Sequence, residues 1–204
     1  GFHGILISIS NPADIIADFL RKRLGLPRNQ VFSTGTSLDS ARLRRMLSEI
    51  TGVSRHSIQA YCMGEHGDSQ FIPVSHIQIG GIPVKEYLSI HPEYRDKMDF
   101  DKISAEDKVC GFHIVEGKGC TEFGIGAVLS NITRAVMHDE KRILPLSVLL
   151  EGEYGEQGIP AGVPCVIGKN GVEEILEISL TEKEKEQLHN SVSYTHLRAH
   201  ETDS

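Results

Sequence analysis

The stretch Ile5-Leu6-Ile7-Ser8-Ile9, followed by Ser10-Asn11-Pro12-Ala13-Asp14, decides the fold. A nearly unbroken apolar run of this length suits a strand covered on both faces, the situation in a parallel sheet. Asn11 as a helix cap with Pro12 at the first helical position then opens a helix, whose apolar residues Ile15, Ile16, Phe19, Leu20 and Leu24 follow helical spacing. A strand, a tight turn and a helix N-terminus form the place where open α/β sheets bind ligands. Taken alone, Asn11 is equally well explained as a plain cap.

Gly25 to Asn29 ends that helix, and Gln30 to Ser33 reads as a short strand leading to Thr34-Gly35-Thr36. With Ser37 as its cap, a second helix carries Leu38, Ala41, Leu43, Met46, Leu47 and Ile50 until Gly52 stops it. Asp39 and Arg42 stand three apart, so both project from the same side of its first turns. A carboxylate there can orient an imidazole, and a guanidinium can grip a substrate carboxylate by two parallel hydrogen bonds. An ordinary surface ion pair would also account for them. The apolar run Ile58 to Met63 reads as a strand ending in the tight loop Gly64-Glu65-His66-Gly67-Asp68-Ser69, which sets a histidine between two glycines. Histidine can give or take a proton near neutral pH at little cost, and loops at strand ends commonly hold such groups.

Together, Ile9 to Asp14, Gly35 to Arg44 and Gly64 to Ser69 resemble the successive signatures of the NAD-dependent L-lactate/malate dehydrogenase family, nearest to its bacterial L-lactate dehydrogenases. The resemblance runs from about Gly1 to about Leu188. It implies that His66 is the proton donor and acceptor, Asp39 its orienting partner and Arg42 the clamp on the substrate carboxylate. It also places Asn11 between the substrate oxygen and the nicotinamide. Ile9, Ser10 and Thr34 would lie at the NAD side, and Asp14 at the substrate side. Lys118-Gly119-Cys120-Thr121 matches the family's Lys-Gly-x-Thr stretch, so Thr121 would line the substrate pocket with Ile125 against the nicotinamide ring. The implied reaction is reduction of a small 2-oxo acid, pyruvate to L-lactate, with malate or another L-2-hydroxy acid as the alternative. Glu65, just before the histidine, leans towards lactate. The implied assembly is a homotetramer.

The chain also departs from the family pattern. No G-x-G-x-x-G follows a strand with an acidic residue about 20 positions on, so the phosphate-binding turn of a Rossmann-type domain is missing, as is the family's mobile lid with its second arginine. The expected organisation is therefore a fragment: residues 1–36 a remnant of a parallel dinucleotide-binding sheet, 37–192 an α+β catalytic domain with long helices and antiparallel strands, and 193–204 a tail foreign to the family, disordered or artefactual. By resemblance Arg44 would be half of a fructose 1,6-bisphosphate site, but Gln59 stands where the family's histidine would be. A neutral amide offers a phosphate no positive charge.

Further along, Ser69 to Ile79 is broadly apolar, Gly80-Gly81 is a turn, and Lys85 to Lys102 reads as a surface connection with one short helix. Two helices follow from Ser104 to Arg142, broken near Gly117 to Gly119, with Thr121 as the cap of the second. Ile143 to Leu150, Val163 to Gly168 and Val172 to Leu180 read as strands, the last two joined by a tight turn at Lys169-Asn170-Gly171. Thr181 to Glu184 is a capping box. A net charge of −7 without a basic cluster argues against nucleic acid, and no apolar stretch approaches the ~20 residues that span a bilayer. The four cysteines have no metal-ligand or redox spacing and read as reduced packing thiols of a cytoplasmic protein. His196 and His200, lacking a third ligand, do not make a metal site.

Overall fold

The computed structural model describes the backbone of residues 1–202 and the side chains of 1–117 and 119–195. Strand β1 (Leu6–Ser8) leads through Pro12 into helix α1 (Ala13–Leu24), and β2 (Val31–Ser33) into α2 (Ser37–Thr51). β1 and β2 pair in parallel, Leu6 to Val31 and Ser8 to Ser33, but β1 is the edge strand and is not covered on both faces: Leu6 and Ile7 are half-buried and Ile9 is exposed. The long strands β6 (Arg142–Glu151), β7 (Gln157–Gly168) and β8 (Gly171–Ile175) form antiparallel hairpins. They join the parallel pair through β2 and β6 at Ser33 and Ser147, giving one sheet of order β1-β2-β6-β7-β8. The sheet thus runs on across residue 36.

Over this sheet lies the larger core, with Phe32, Leu146, Val148, Leu150, Val163 and Ile167 buried beneath Val128 and Ile132 of helix α5 (Phe123–Met137) and Leu188 and Val192 of α6 (Glu182–Thr202). A second core sits under α2, where Leu43, Met46 and Leu47 meet the small sheet of β3 (Ile58–Gln59), β4 (Gln78–Ile79) and β5 (Ile82–Pro83). Helices α3 (Val84–Ile90) and α4 (Phe100–Lys118) complete it through Val84, Tyr87 and Ile103. Gly119, at φ +84°, ends α4 where the glycines predict the break. The Thr181 box closes as read: its amide and hydroxyl donate to Glu184 at 2.9 and 2.8 Å.

Several local expectations give way to tertiary contacts. The run Ile58 to Met63 is ladder-paired only over Ile58–Gln59, because the backbone of Cys62 bonds to side chains of α2 instead: Thr36 Oγ1 donates to its carbonyl at 2.6 Å, and its N–H donates to Ser40 Oγ at 2.8 Å. Ser37 is the first helical residue rather than the cap, and its hydroxyl donates across to the Pro145 carbonyl at 2.7 Å. Pro12, not Asn11, occupies the cap of α1, and Glu122, not Thr121, that of α5. β8 ends at Ile175.

The tail differs most. Instead of becoming disordered after residue 192, α6 continues to Thr202. Thr195 is buried there, its hydroxyl donating to the Ser191 carbonyl at 3.1 Å. The side chains of His196 and His200 lie outside the described residues. Among the described residues no helix is long and apolar enough to cross a membrane.

Candidate active site

Asp39 is 2% exposed in the first turn of α2, and its two carboxylate oxygens serve two partners. Oδ2 receives the His66 Nδ1–H at 2.7 Å, and Oδ1 faces Arg42 Nη1 at 3.3 Å. One carboxylate therefore orients both the imidazole and the guanidinium. Nδ1 being occupied, Nε2 is the nitrogen left for chemistry. Burial pulls the His66 pKa down, but the hydrogen bond and charge of Asp39, helped by the charge of Asp14, outweigh this and raise it to about 9. The ring is consequently an imidazolium at neutral pH, and its side chain keeps 30% exposure.

The loop that holds the ring is fixed from four sides. Met63 and Phe71 exchange backbone bonds at 2.9 and 3.0 Å, and Gly64 and Gly162 do so at 2.9 and 2.7 Å. Ser191 Oγ accepts the Glu65 N–H at 2.8 Å. Glu65, buried at 5% exposure, folds its carboxylate back to accept from Ser69 N–H and Oγ at 3.2 and 2.6 Å. Its work is loop closure. Gly64 stands at φ +93°, and a Cβ there would lie 2.3 Å from Ser191 Oγ, which explains the first glycine of the motif.

Asp14 is expected at the substrate, but it is 2% exposed, and its Oδ2 accepts the His66 N–H at 3.0 Å. It pins the histidine's main chain from the first turn of α1. Burial raises its carboxyl above the usual range, against the Ser147 hydroxyl and the His66 amide, which lower it. Ile9, Ser10 and Asn11 are exposed beyond the carboxyl end of β1. Thr34 is buried beside them, its N–H donating to the Ser8 carbonyl at 3.2 Å. Thr121 is exposed between α4 and α5, and Ile125 is half-buried in α5. Among the described residues no hydrogen bond joins either to the His66 cluster.

A cavity of about 1160 Å³ opens beside the cluster, lined by Arg42, Arg44, Gln59, Tyr61, Cys110 and Arg142 among others. Arg44 donates to the Ala60 carbonyl at 3.0 Å, and burial lowers its pKa, while Gln59 is exposed on β3. Sequence reasoning missed Asp107 of α4, which is 1% exposed and accepts from the Cys62 thiol at 3.5 Å and Gln70 Nε2 at 3.2 Å. Its signal was present: a carboxylate four residues after Ile103, on the helix face that also carries Ile114.

By fold this is an α/β chain in which a short parallel pair continues into antiparallel hairpins flanked by long helices, with an imidazole locked to a buried carboxylate at their junction. A family model for the lactate/malate dehydrogenase alpha/beta C-terminal domain matches residues 36–200, and the chain belongs to that family. It is 48% identical over 185 residues to an L-lactate dehydrogenase of Fusobacterium nucleatum, covering 91% of this chain and 58% of that protein. The minor L-lactate dehydrogenase of Enterococcus mundtii, solved with ligands bound, superposes with a TM-score of 0.93 at 37% identity, over 98% of this chain and 63% of that one. The malate dehydrogenase of Aeropyrum pernix superposes with a TM-score of 0.88 at 34% identity, over 97% of this chain and 64% of that one. The chain thus spans roughly three-fifths of the length of these proteins.

Proposed function

We propose that this chain is the substrate-handling part of an NAD-dependent L-lactate dehydrogenase. The observation that carries the reading is the shared Asp39 carboxylate, which places a proton donor and a carboxylate-binding guanidinium in fixed relation. In this reading Arg42 holds the carboxylate of pyruvate, which orients the keto group. His66 Nε2–H donates its proton to the keto oxygen as negative charge develops there, and Asp39 stabilises the imidazolium until that moment. In the reverse direction the neutral imidazole takes the proton from the lactate hydroxyl. Asp14 keeps the ring in place through the main chain.

The open carboxyl edge of β1, with Ile9, Ser10 and Asn11 exposed, suits the nicotinamide end of the cofactor, and Thr34 and Ile125 would complete that side. The bound cofactor supplies the hydride. No glycine-rich turn in these 204 residues suits its pyrophosphate, so we infer that the chain by itself does not turn over. Its proposed setting is a cytoplasmic homotetramer. Malate is the second substrate reading, favoured by the close superposition on the Aeropyrum enzyme.

The test is pyruvate-dependent NADH oxidation by the longest open reading frame that carries this sequence. His66→Ala should lower turnover by about 10²–10⁴-fold, the usual worth of a positioned acid–base group. Unchanged turnover in that variant overturns the reading, as does a strong preference for oxaloacetate over pyruvate for the lactate assignment. Turnover by the 204 residues alone overturns the inference of their inactivity.

A further inference from the structure

Asp107 is a second buried carboxyl behind the His66–Asp39 pair, and nothing in the reaction described above uses it. It sits on α4, yet its partners come from elsewhere: the Cys62 thiol from the segment before the histidine loop, and the Gln70 amide from the segment after it. Cys62 is itself bolted to α2 through Thr36 and Ser40, one residue from Asp39. Two acceptor atoms in this cluster, Asp107 Oδ1 and Gln70 Oε1, are buried without a hydrogen-bond partner. No cation lies within ion-pair distance of Asp107 among the described residues.

A carboxylate held only by a thiol and an amide, with one oxygen unpartnered, is costly to bury as an anion, and a proton removes that charge. Cys62 and Gln70 touch it, and the charges that act on it come from Asp39 and Arg42 of α2 and His66 of the loop; on its own helix Glu106 is exposed and Lys108 half-buried. Burial, and next the charge of Asp39, raise its pKa to about 7, while Cys62, Arg42 and His66 lower it.

We propose that Asp107 is a positioning residue for the His66–Asp39 pair, a second buried carboxyl held without a counter-ion, whose charge is coupled to the charge on the histidine. The coupling is reciprocal: because an imidazolium at His66 favours the Asp107 anion, the Asp107 anion favours the imidazolium. As pH rises through neutrality Asp107 ionises, and the added negative charge keeps His66 protonated to higher pH. The consequence is a wider pH range over which the proton donor stays loaded. This role rests on the dehydrogenase reading, but the charge coupling does not.

The experiment is an NMR titration of the His66 ring and of the Asp107 side-chain carboxyl in this chain, alongside Asp107→Asn, a neutral replacement of the same shape. The expected result is an Asp107 midpoint near neutrality, and a His66 acid constant raised on the order of threefold in the variant. An Asp107 midpoint in the ordinary carboxylate range, or an unmoved His66 midpoint in a folded variant, overturns the proposal. A purely structural Asp107 would change stability on substitution but leave the His66 titration where it was. If the variant does not fold, the wild-type carboxyl titration still decides. Failure of the dehydrogenase reading shows separately, as undiminished turnover in His66→Ala.

Discussion

The Ser191 hydroxyl accepts the Glu65 amide proton at 2.8 Å, joining the last helix to the loop that carries His66 across 126 residues of sequence. The same oxygen lies where a side chain on Gly64 would go. Gly64→Ala would add both a clash and a left-handed alanine, and we expect it to cost at least ~1–3 kcal/mol. Ser191→Ala, which removes the hydrogen bond accepted from the buried Glu65 N–H, should cost about 0.5–1.5 kcal/mol. Urea denaturation checks both, and a Gly64→Ala midpoint equal to wild type contradicts the packing described.

Asp39→Asn removes the charge that outweighs burial at His66. The histidine should then titrate below its ordinary 6.5 instead of at about 9, because burial still opposes the charged ring. NMR of the ring protons measures this directly. In the dehydrogenase proposed above, reduction of pyruvate at neutral pH should fall with it.

Stability should decline as pH rises from about 5 to 9. His66 has a folded-state pKa of about 9, above its unfolded value, so its contribution is complete below 6.5 and is lost as pH passes 9. Asp107, raised to about 7, likewise binds its proton more tightly in the folded state, and its contribution is lost between about 4 and 7. Glu153 works the other way: its hydrogen bond from Arg28 lowers it to about 2, so its contribution is lost as pH falls below 4.5. Thermal melts across pH 3 to 9 should therefore peak in the mildly acidic range. A peak at pH 8 or above would contradict these assignments.

Arg28 ties the turn between α1 and β2 to the β6–β7 connection, donating to the Leu149 carbonyl at 3.0 Å and to Glu153 at 3.1 and 2.7 Å. The pair is partly exposed, so solvent screening reduces its worth. Arg28→Ala should lower stability by about 1–2 kcal/mol without altering the His66 titration. A shifted histidine would show that the two ends of the sheet are coupled.

Much of this protein was decided locally. The apolar run before Asn11 reads as a strand, although as the edge strand β1 it is only half-buried, and the helix after it follows from periodicity and a proline. The Gly119 break, the Asn170-Gly171 turn and the Thr181 box rest on residues a few positions apart, and such contacts form wherever the chain goes. Asp39 and Arg42 share a side because a helix turns every 3.6 residues. The meeting of Asp39 with His66 was implied by resemblance and needed the fold to become a distance.

What the tertiary structure alone decided concerns buried polar groups. Asp107 reads as one more charge on a helix until α4 packs against the Cys62 segment 45 residues away, and only then does the carboxyl lose water. Asp14 lies in a motif that suggests a ligand contact, yet packing turns it beneath the loop. Cys62 exchanges its strand partners for hydroxyls on α2, a choice that periodicity cannot express. Ser191, in a stretch whose pattern fades, is held because it accepts from an amide in the loop that carries His66. The physical reason is common to all four. Apolar spacing tells that a helix or strand forms, but what covers it depends on which other element arrives there: in α1 Ala13, Asp14, Ala17 and Asp18 are buried while Phe19 and Leu24 stand exposed, and the partner of a buried donor or acceptor is chosen the same way.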